Sequence, residues 1–305
     1  MINLNSSQFT RQIHPGAAVV VPALRARAVS RNPLFWLNLV CLDAPLVAIC
    51  WQWIFAGSFL LSVPVGHRAA LFLTAWLIYL ADRFGDSLSL VTDQPKSVRQ
   101  QFCLQHQGIW LVFIICVAVV DLIVVLQTVN YETAVPGAAL GAFTIAYLAI
   151  NHARSEIWET IPLKEFTIGS LFAAGTLLGV TPHIFAERST MMLAAVLFAA
   201  LCSLNCVSIA IWERDLDRIQ GKHSIATRWS HADSLPGALL LLLLAGSFLL
   251  ALFDRGAWPV ALCLGGSSLL LGALRFVPVS RDARTALADL VLFTPLALFV
   301  AEKVL

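Results

Sequence analysis

The sequence predicts an all-α, polytopic membrane protein with nine transmembrane helices. Hydrophobic residues make up 59% of the 305 residues and charged residues only 12%, with a mean hydropathy of +0.81, which is typical of membrane proteins. Nine apolar stretches have roughly the 18 to 25 residues needed to cross a hydrocarbon core of about 30 Å. They are residues 34–60, 67–88, 107–129, 132–152, 163–184, 190–212, 234–253, 257–277 and 284–302.

The residues before the first span are expected to form a separate segment. Residues 1–32 lack the basic start, apolar core and small-residue cleavage site of a signal peptide. We therefore expect them to be cytoplasmic or interfacial. The transmembrane domain is expected to occupy residues 33–305.

The distribution of lysine and arginine predicts the orientation of the spans. Basic residues are retained in short cytoplasmic loops. With the N-terminus in the cytoplasm, all but four of the 20 lysines and arginines fall on the inner side, and the exceptions are Arg68, Arg188, Arg255 and Lys303. Because the number of spans is odd, the C-terminus is expected outside, in a membrane that we expect to be the plasma or inner membrane.

Composition disfavours several kinds of site. The seven cysteines lie mainly in the spans, without a Cys-x-x-Cys pair or a Cys/His cluster, so we expect neither disulfides nor a zinc or iron–sulfur centre. The net charge of +2 belongs mostly to the inner loops. It predicts contact with membrane lipid or an anionic substrate, and no basic domain indicates nucleic acid.

Two carboxylate motifs recur at the ends of the second and sixth predicted spans. Both consist of an acid, an arginine, two variable residues and an aspartate: Asp82, Arg83 and Asp86 in YLADRFGD, and Glu213, Arg214 and Asp217 in WERDLDR. A constant 131 residues separate the matching positions. Four crossings lie between the motifs, so both are expected at the cytoplasmic mouth. The spacing predicts two parallel four-helix repeats plus a ninth helix.

The spacing within each motif indicates a divalent cation. Residues at i and i+4 share a helical face, so each motif presents two carboxylates to one cavity, and their repulsion favours a positive group between them. Carboxylate oxygens without accompanying thiols or imidazoles suit Mg²⁺. Phosphate oxygens of a substrate then complete the coordination shell of the ion. Either motif alone is more typical of a solvated helix end. Two such motifs at matching positions of the repeat and on the same membrane face indicate a site that holds a diphosphate through metal ions.

With these motifs, the chain resembles the UbiA-type superfamily of intramembrane prenyltransferases over about residues 33–304. That family has nine transmembrane helices and two Asp-rich motifs at the cytoplasmic ends of helices two and six, which bind an isoprenyl diphosphate through Mg²⁺. In the usual first motif an Asn and an Asp precede the spaced aspartates, and Ile78 and Tyr79 occupy those positions here. Further similarities are the Asp-x-Pro step and the residues after the second motif: Asp43, Pro45, Gly221, Lys222 and Ser224.

The motifs and the resemblance together imply the site residues. Catalysis and Mg²⁺ ligation are expected from Asp82, Asp86, Glu213 and Asp217, with Asp215 as a further metal ligand. Diphosphate binding is expected from cationic side chains near the mouth, although basic residues collect on this face in any case. They are Lys164, Arg83, Arg214, Arg218 and Lys222. Residues 97–106 are expected to form a short interfacial helix that caps the site.

Polar residues inside the spans supply two further candidates for substrate binding. Asn205 lies two turns before Glu213 on the same helical face and is expected to orient an acid or an acceptor. A hydrogen bond to a neighbouring helix is the alternative. Asp43, with Asp289 as a weaker candidate, is expected toward the inner side and within reach of the cavity.

The expected function is transfer of an isoprenyl group from a Mg²⁺-bound isoprenyl diphosphate to a lipophilic acceptor, aromatic or otherwise. A related membrane terpene cyclase, in which the isoprenyl cation is attacked by its own double bonds, is an alternative. A non-catalytic lipid-binding member is another, suggested by Ile78 and Tyr79. A transporter is disfavoured because the acids lie at the mouth and not at mid-membrane.

Overall fold

The computed structural model describes residues 33–90, 94–180 and 189–304, and within these ranges the protein is all-helical, with no strand. The predicted segment 1–32 lies outside the described residues. The α-helices are α1 Pro33–Leu39, α2 Asp43–Ser58, α3 Val65–Leu88, α4 Val98–Gln105, α5 Gln107–Thr128, α6 Tyr131–Ala153, α7 Ile157–Thr160, α8 Lys164–Leu177, α9 Ser189–Ile219, α10 Ile225–Arg228, α11 Leu235–Phe253, α12 Trp258–Leu274, α13 Arg281–Leu290 and α14 Thr294–Val304. Short 3₁₀ turns lie at Leu178–Val180, Ala232–Ser234 and Val291–Phe293.

Five helical segments in the described residues are long and apolar enough to cross a membrane, which indicates a membrane protein. They are Gln107–Thr128, Tyr131–Ala153, Ser189–Gln220, Ala232–Phe253 and Arg281–Ala301. The other four predicted spans also coincide with helices, namely α1 with α2, α3, α8 and α12, but α12 has only 17 residues and α8 only 14. The count of nine transmembrane helices stays a prediction.

The first predicted span is interrupted between α1 and α2. Cys41 adopts a φ of 59°, in the left-handed region that residues other than glycine rarely visit. The indole Nε1 of Trp76 donates to the carbonyl oxygen of Val40 in this break, at 2.9 Å. As a result, α2 begins at Asp43, whose side chain is buried.

The main core lies where α2 packs against α8, α9, α11 and α12. Trp51 and Phe198 are fully buried and stack with their ring centroids 4.5 Å apart. The indole Nε1 of Trp51 donates to the carbonyl oxygen of Leu292 at 2.8 Å, which ties α2 to the turn after α13. In contrast, α5 exposes many large apolar side chains along its length, as expected for a face that contacts lipid.

Close contact between α8 and α9 sets the position of the second motif. A Cβ atom added to Gly169 of α8 would lie 2.6 Å from the backbone nitrogen of Ser203 in α9, so the two backbones touch at this point. Because the helices run antiparallel, the start of α8 at Lys164 lies beside the end of α9. We call the end of the bundle that carries Lys164 and both carboxylate motifs the motif end.

Candidate functional site

The acids of the first motif converge on a histidine that sequence reasoning missed. Asp82 and Asp86 lie one turn apart near the end of α3, and His152 lies near the end of α6. The imidazole Nε2 is 3.4 Å from Asp82 Oδ1, and Nδ1 is 3.8 Å from Asp86 Oδ1. Ligand atoms of the three residues all lie within 4.8 Å of one another, the one such group of three or more in the described part of the chain.

A glycine within the first motif makes room for this histidine. A Cβ atom added to Gly85 would lie 2.8 Å from Nε2 and 2.9 Å from Cε1 of His152. The imidazole therefore packs directly on the backbone of α3 between the two aspartates. Only glycine at position 85 permits this approach without displacing the ring.

Gly85→Ala should therefore weaken divalent cation binding. The added methyl group displaces the imidazole, which is the movable partner, so α3 is expected to keep its fold. We expect the dissociation constant for Mn²⁺ to rise about tenfold, as for loss of a group that holds a metal site in place. Mn²⁺ titration followed by electron paramagnetic resonance measures this change. Gly57→Ala in α2, where an added Cβ meets nothing within 4 Å, is the matched control; equal affinities in both variants would contradict the assignment.

Lys222 reaches the first motif through the turn that ends α9. Gly221 adopts a φ of +66°, and the backbone N–H groups of Gly221 and Lys222 donate to the carbonyls of Arg218 and Asp217. This Schellman pattern, with glycine in the left-handed position, reverses the chain. The Nζ of Lys222 then lies 2.6 Å from Oδ2 of Asp86, so an ion pair joins the first motif to the turn that follows the second motif.

Lys164 lies between the two motifs. It is half-buried at the start of α8, close enough to act electrostatically on Asp86 in α3 and on Asp217 in α9. Asp217 also interacts electrostatically with Glu213 and Lys222. Lys164, Lys222, Asp86 and Asp217 thus form a half-buried patch of two cations and two carboxylates beside His152.

The other acid of the second motif is bound to basic and hydroxyl donors. Glu213 Oε1 accepts from Arg99 Nη2 at 2.8 Å and from Thr285 Oγ1 at 3.1 Å. Arg99 comes from α4, the short helix predicted within residues 97–106, which begins with a capping box at Ser97. Neither Glu213 nor Asp217 joins the group of metal-ligand atoms formed by the first motif in the described residues.

Three of the predicted site residues lie on another face of α9. Arg214 makes two hydrogen bonds to the exposed Asp233, at 2.6 and 3.2 Å. The side chain of Asp215 is 92% exposed and lies 3.9 Å from Arg218. Helical periodicity explains this, because neighbours in sequence point about 100° apart around the axis. The structure does not bring Arg214, Asp215 or Arg218 together with the first motif.

Arg83 and the predicted substrate-binding residues form a separate buried network. Asn38 Nδ2 donates to Asp43 Oδ2 at 2.5 Å and to Asp289 Oδ2 at 3.0 Å. Asn205 Nδ2 donates to the other oxygen of Asp289 at 3.1 Å, so it bonds a neighbouring helix, the alternative that the sequence left open. Arg83 Nη1 donates to the carbonyl oxygen of Asn38 at 3.1 Å. This network cross-links α1, α2, α3, α9 and α13.

A largely apolar cavity of about 340 Å³ begins at Asp82. It lies among α2, α3, α6 and α8, and along α3 it reaches His67, fifteen residues or about 22 Å away. Ile78 and Tyr79 line its wall next to Asp82. The ring of Tyr79 meets Phe172 edge to face at 6.1 Å.

Glycines at helical spacing widen this cavity. Gly137 and Gly141 of α6, Gly175 of α8 and Gly179 of the 3₁₀ turn after it all line the cavity. At Gly137 and Gly179 an added Cβ would lie 3.1 Å from a side chain of a neighbouring segment, in agreement with the close approach that the spacing predicts. A Cβ atom added to Gly141 would meet nothing within 4 Å, and one added to Gly175 would first meet a leucine side chain at 3.8 Å. At these positions the absent side chains leave space for a ligand.

Comparison of the chain with protein-family models, with curated proteins and with solved structures gives no match.

Proposed function

We propose that this chain transfers an isoprenyl group from an isoprenyl diphosphate to a lipophilic acceptor, within a divergent UbiA-type bundle of nine transmembrane helices. The observation that carries the proposal is the apolar cavity of about 340 Å³ that ends at Asp82, beside a patch of acids and cations. The apolar walls of the cavity suit an isoprenoid chain, and the charged groups at its mouth suit a diphosphate. In this proposal the motif end faces the cytoplasm, as the positions of the basic residues predict.

The residues of the first motif fit a divalent cation. Asp82 and Asp86 offer the carboxylate oxygens that Mg²⁺ prefers, and His152 adds a nitrogen that also suits Mn²⁺. When bound there, the cation supplies positive charge against the departing diphosphate. Asp217 belongs to the proposed site because Lys164 and Lys222 lie close enough to act on its charge. Arg214, Asp215 and Arg218 are not part of it, because their contacts lie on another face of α9.

Lysines of the patch are proposed to bind the diphosphate. Lys222 and Lys164 already lie next to carboxylates, so a phosphate oxygen can replace Asp86 as the partner of Lys222. That exchange frees Asp86 for the cation. Two lysines and a divalent cation together offset most of the negative charge of the diphosphate and of the two aspartates that hold the cation.

The walls of the cavity are proposed to protect the reacting carbon. The bond between the diphosphate oxygen and the first isoprenyl carbon breaks with its electron pair on oxygen, the acceptor forms a new bond to that carbon, and the acceptor proton passes to the released diphosphate. Ile78 and Phe172 exclude water from the allylic cation. Tyr79 lies one turn from Asp82, and its ring face can stabilise the cation.

A non-catalytic lipid-binding protein is the second candidate, because one carboxylate of each motif already has a cationic partner within the protein. Lys222 lies 2.6 Å from Asp86, and Arg99 lies 2.8 Å from Glu213. Such pairs hold a helix end together in a protein that only stores or presents a lipid.

Incubation of the purified protein with Mg²⁺, radiolabelled C10 to C20 isoprenyl diphosphates and a cell lipid extract tests the proposal. We expect a labelled lipid product that requires both the diphosphate and the extract. A product formed from the diphosphate alone would indicate cyclisation. Absence of any product from any donor would contradict an enzyme and favour the lipid-binding candidate.

A further inference from the structure

The cavity has a second polar region at the end opposite Asp82. We call this region the distal end, and it is formed by Gln52 of α2, His67 of α3 and Thr176 of α8, which all line the cavity. Thr176 lies twelve residues beyond Lys164, or about 18 Å along α8. The distal end is therefore remote from the carboxylates of the motif end.

Polar atoms at the distal end are buried without a protein partner. Gln52 and Thr176 are each only 1% exposed, and His67 is 9% exposed. Among the described residues, no hydrogen-bond partner exists for Gln52 Oε1, Thr176 Oγ1 or His67 Nδ1. Buried polar groups are nearly always paired, and leaving them unpaired is costly. Three such atoms in one cavity wall point to a ligand.

The free atom of Gln52 is identified by its other hydrogen bond. Its amide nitrogen Nε2 donates to the backbone carbonyl oxygen of Thr176 at 3.2 Å. A carbonyl oxygen can only accept, so the amide must be oriented with its nitrogen there and its oxygen free. A Cβ atom added to Gly179 would lie 3.1 Å from the same nitrogen, so this glycine leaves room for the amide.

We propose that the distal end is a polar subsite that binds the hydroxyl group of a lipophilic ligand lying along the cavity. Gln52 Oε1 only accepts a hydrogen bond, whereas Thr176 Oγ1 both donates and accepts. A hydroxyl group of the ligand can donate a hydrogen bond to Gln52 Oε1 and accept one from Thr176 Oγ1. An ether or ketone cannot donate to Gln52, and a hydrocarbon satisfies neither atom. The subsite needs neither a diphosphate nor a metal ion, so it is independent of the proposed reaction.

Equilibrium binding of tritiated farnesol and of tritiated farnesene to the purified protein tests this subsite. Both probes have the same C15 skeleton, and only farnesol has a hydroxyl group. We expect farnesol to bind at least about tenfold more tightly, roughly the effect of one buried hydrogen bond of this kind. Equal affinities for the two probes would overturn the proposal without any substitution in the protein.

Thr176→Val then locates the hydroxyl group. Valine keeps the shape of threonine and leaves the backbone carbonyl for Gln52, so we expect about a fivefold to tenfold loss of farnesol affinity and no change for farnesene. Thr176→Ser should restore the preference. Thr144→Val is the matched control, because Thr144 also lines the cavity but its hydroxyl already donates to Leu140 at 2.9 Å. Equal effects of Thr176→Val and Thr144→Val would also overturn the proposal.

Discussion

Asp86→Asn is expected to lower kcat/KM for farnesyl diphosphate at least about 100-fold, the scale of loss when a group that stabilises developing charge is removed. Asp86 is the residue of the first motif that contacts both His152 and Lys222. Asparagine has nearly the same shape but no charge, so it weakens the cation site and leaves Lys222 without its anionic partner. Transfer of radiolabel from farnesyl diphosphate to an extractable lipid measures the effect.

Two comparisons separate this chemical effect from loss of the fold. Glu132→Gln removes a charge from the exposed first turn of α6 at the other end of the bundle, and we expect turnover to stay within about twofold of the wild-type value. Thermal unfolding in detergent should give similar midpoints for both variants. A folded Asp86→Asn protein with wild-type turnover would remove this carboxylate from the mechanism.

Gly141→Leu is expected to make the chain selective for short isoprenyl donors. An added side chain at this position points into open space in the cavity, eleven residues or about 16 Å before His152 along α6. A C10 chain bound at the mouth does not need this space, whereas a C20 chain does. We expect KM for geranylgeranyl diphosphate to rise at least about tenfold, since forcing extra methylenes into a filled site costs about 1 to 3 kcal/mol.

The same substitution outside the cavity supplies the control. Gly108 lies in the first turn of α5, is exposed, and has no atom within 4 Å of an added Cβ. Gly108→Leu should leave the KM values for geranyl and geranylgeranyl diphosphate unchanged. If Gly141→Leu left both KM values unchanged, the isoprenyl chain would not extend past Gly141, and an equal rise in both would contradict selection by chain length.

Hydrophobic patterning predicted where helices lie more accurately than where they break. All nine predicted stretches coincide with helical structure in the described residues, because apolar composition and helix are coupled by the need to pair backbone groups in lipid. The break before α2 was missed, since a positive φ at Cys41 has no signal in residue type. The start of α2 after the break does have a signal, because an aspartate and a proline in the first turn, here at positions 43 and 45, are typical of a helix start.

Local spacing predicted which side chains of one helix share a face, but not which side chains of other helices meet them. The i,i+4 rule places Asp82 beside Asp86, whereas the pairing of Glu213 with Arg99 depends on how α4 crosses the end of α9. From the sequence, Arg214 and Lys222 are both predicted to bind the diphosphate. The turn at Gly221 directs Lys222 to Asp86, while Arg214 pairs with Asp233.

His152 was missed because it stands alone in sequence, in the segment INHARSE. A weak signal was available, since the second, fourth and sixth predicted spans end on the same membrane face. A polar residue at the end of the fourth span therefore faces the same mouth as the two motifs. The glycine at position 85, within the first motif, is the local counterpart of that contact.

Equilibrium binding of labelled farnesyl diphosphate to the purified protein, with Mg²⁺ and then with excess EDTA, tests most directly whether the carboxylates hold a diphosphate through a cation. The wild-type protein should bind saturably, and EDTA, Asp86→Asn and Asp217→Asn should each weaken binding at least about tenfold, or about 1.4 kcal/mol. Binding that neither EDTA nor either substitution alters would contradict a metal-held diphosphate at this site.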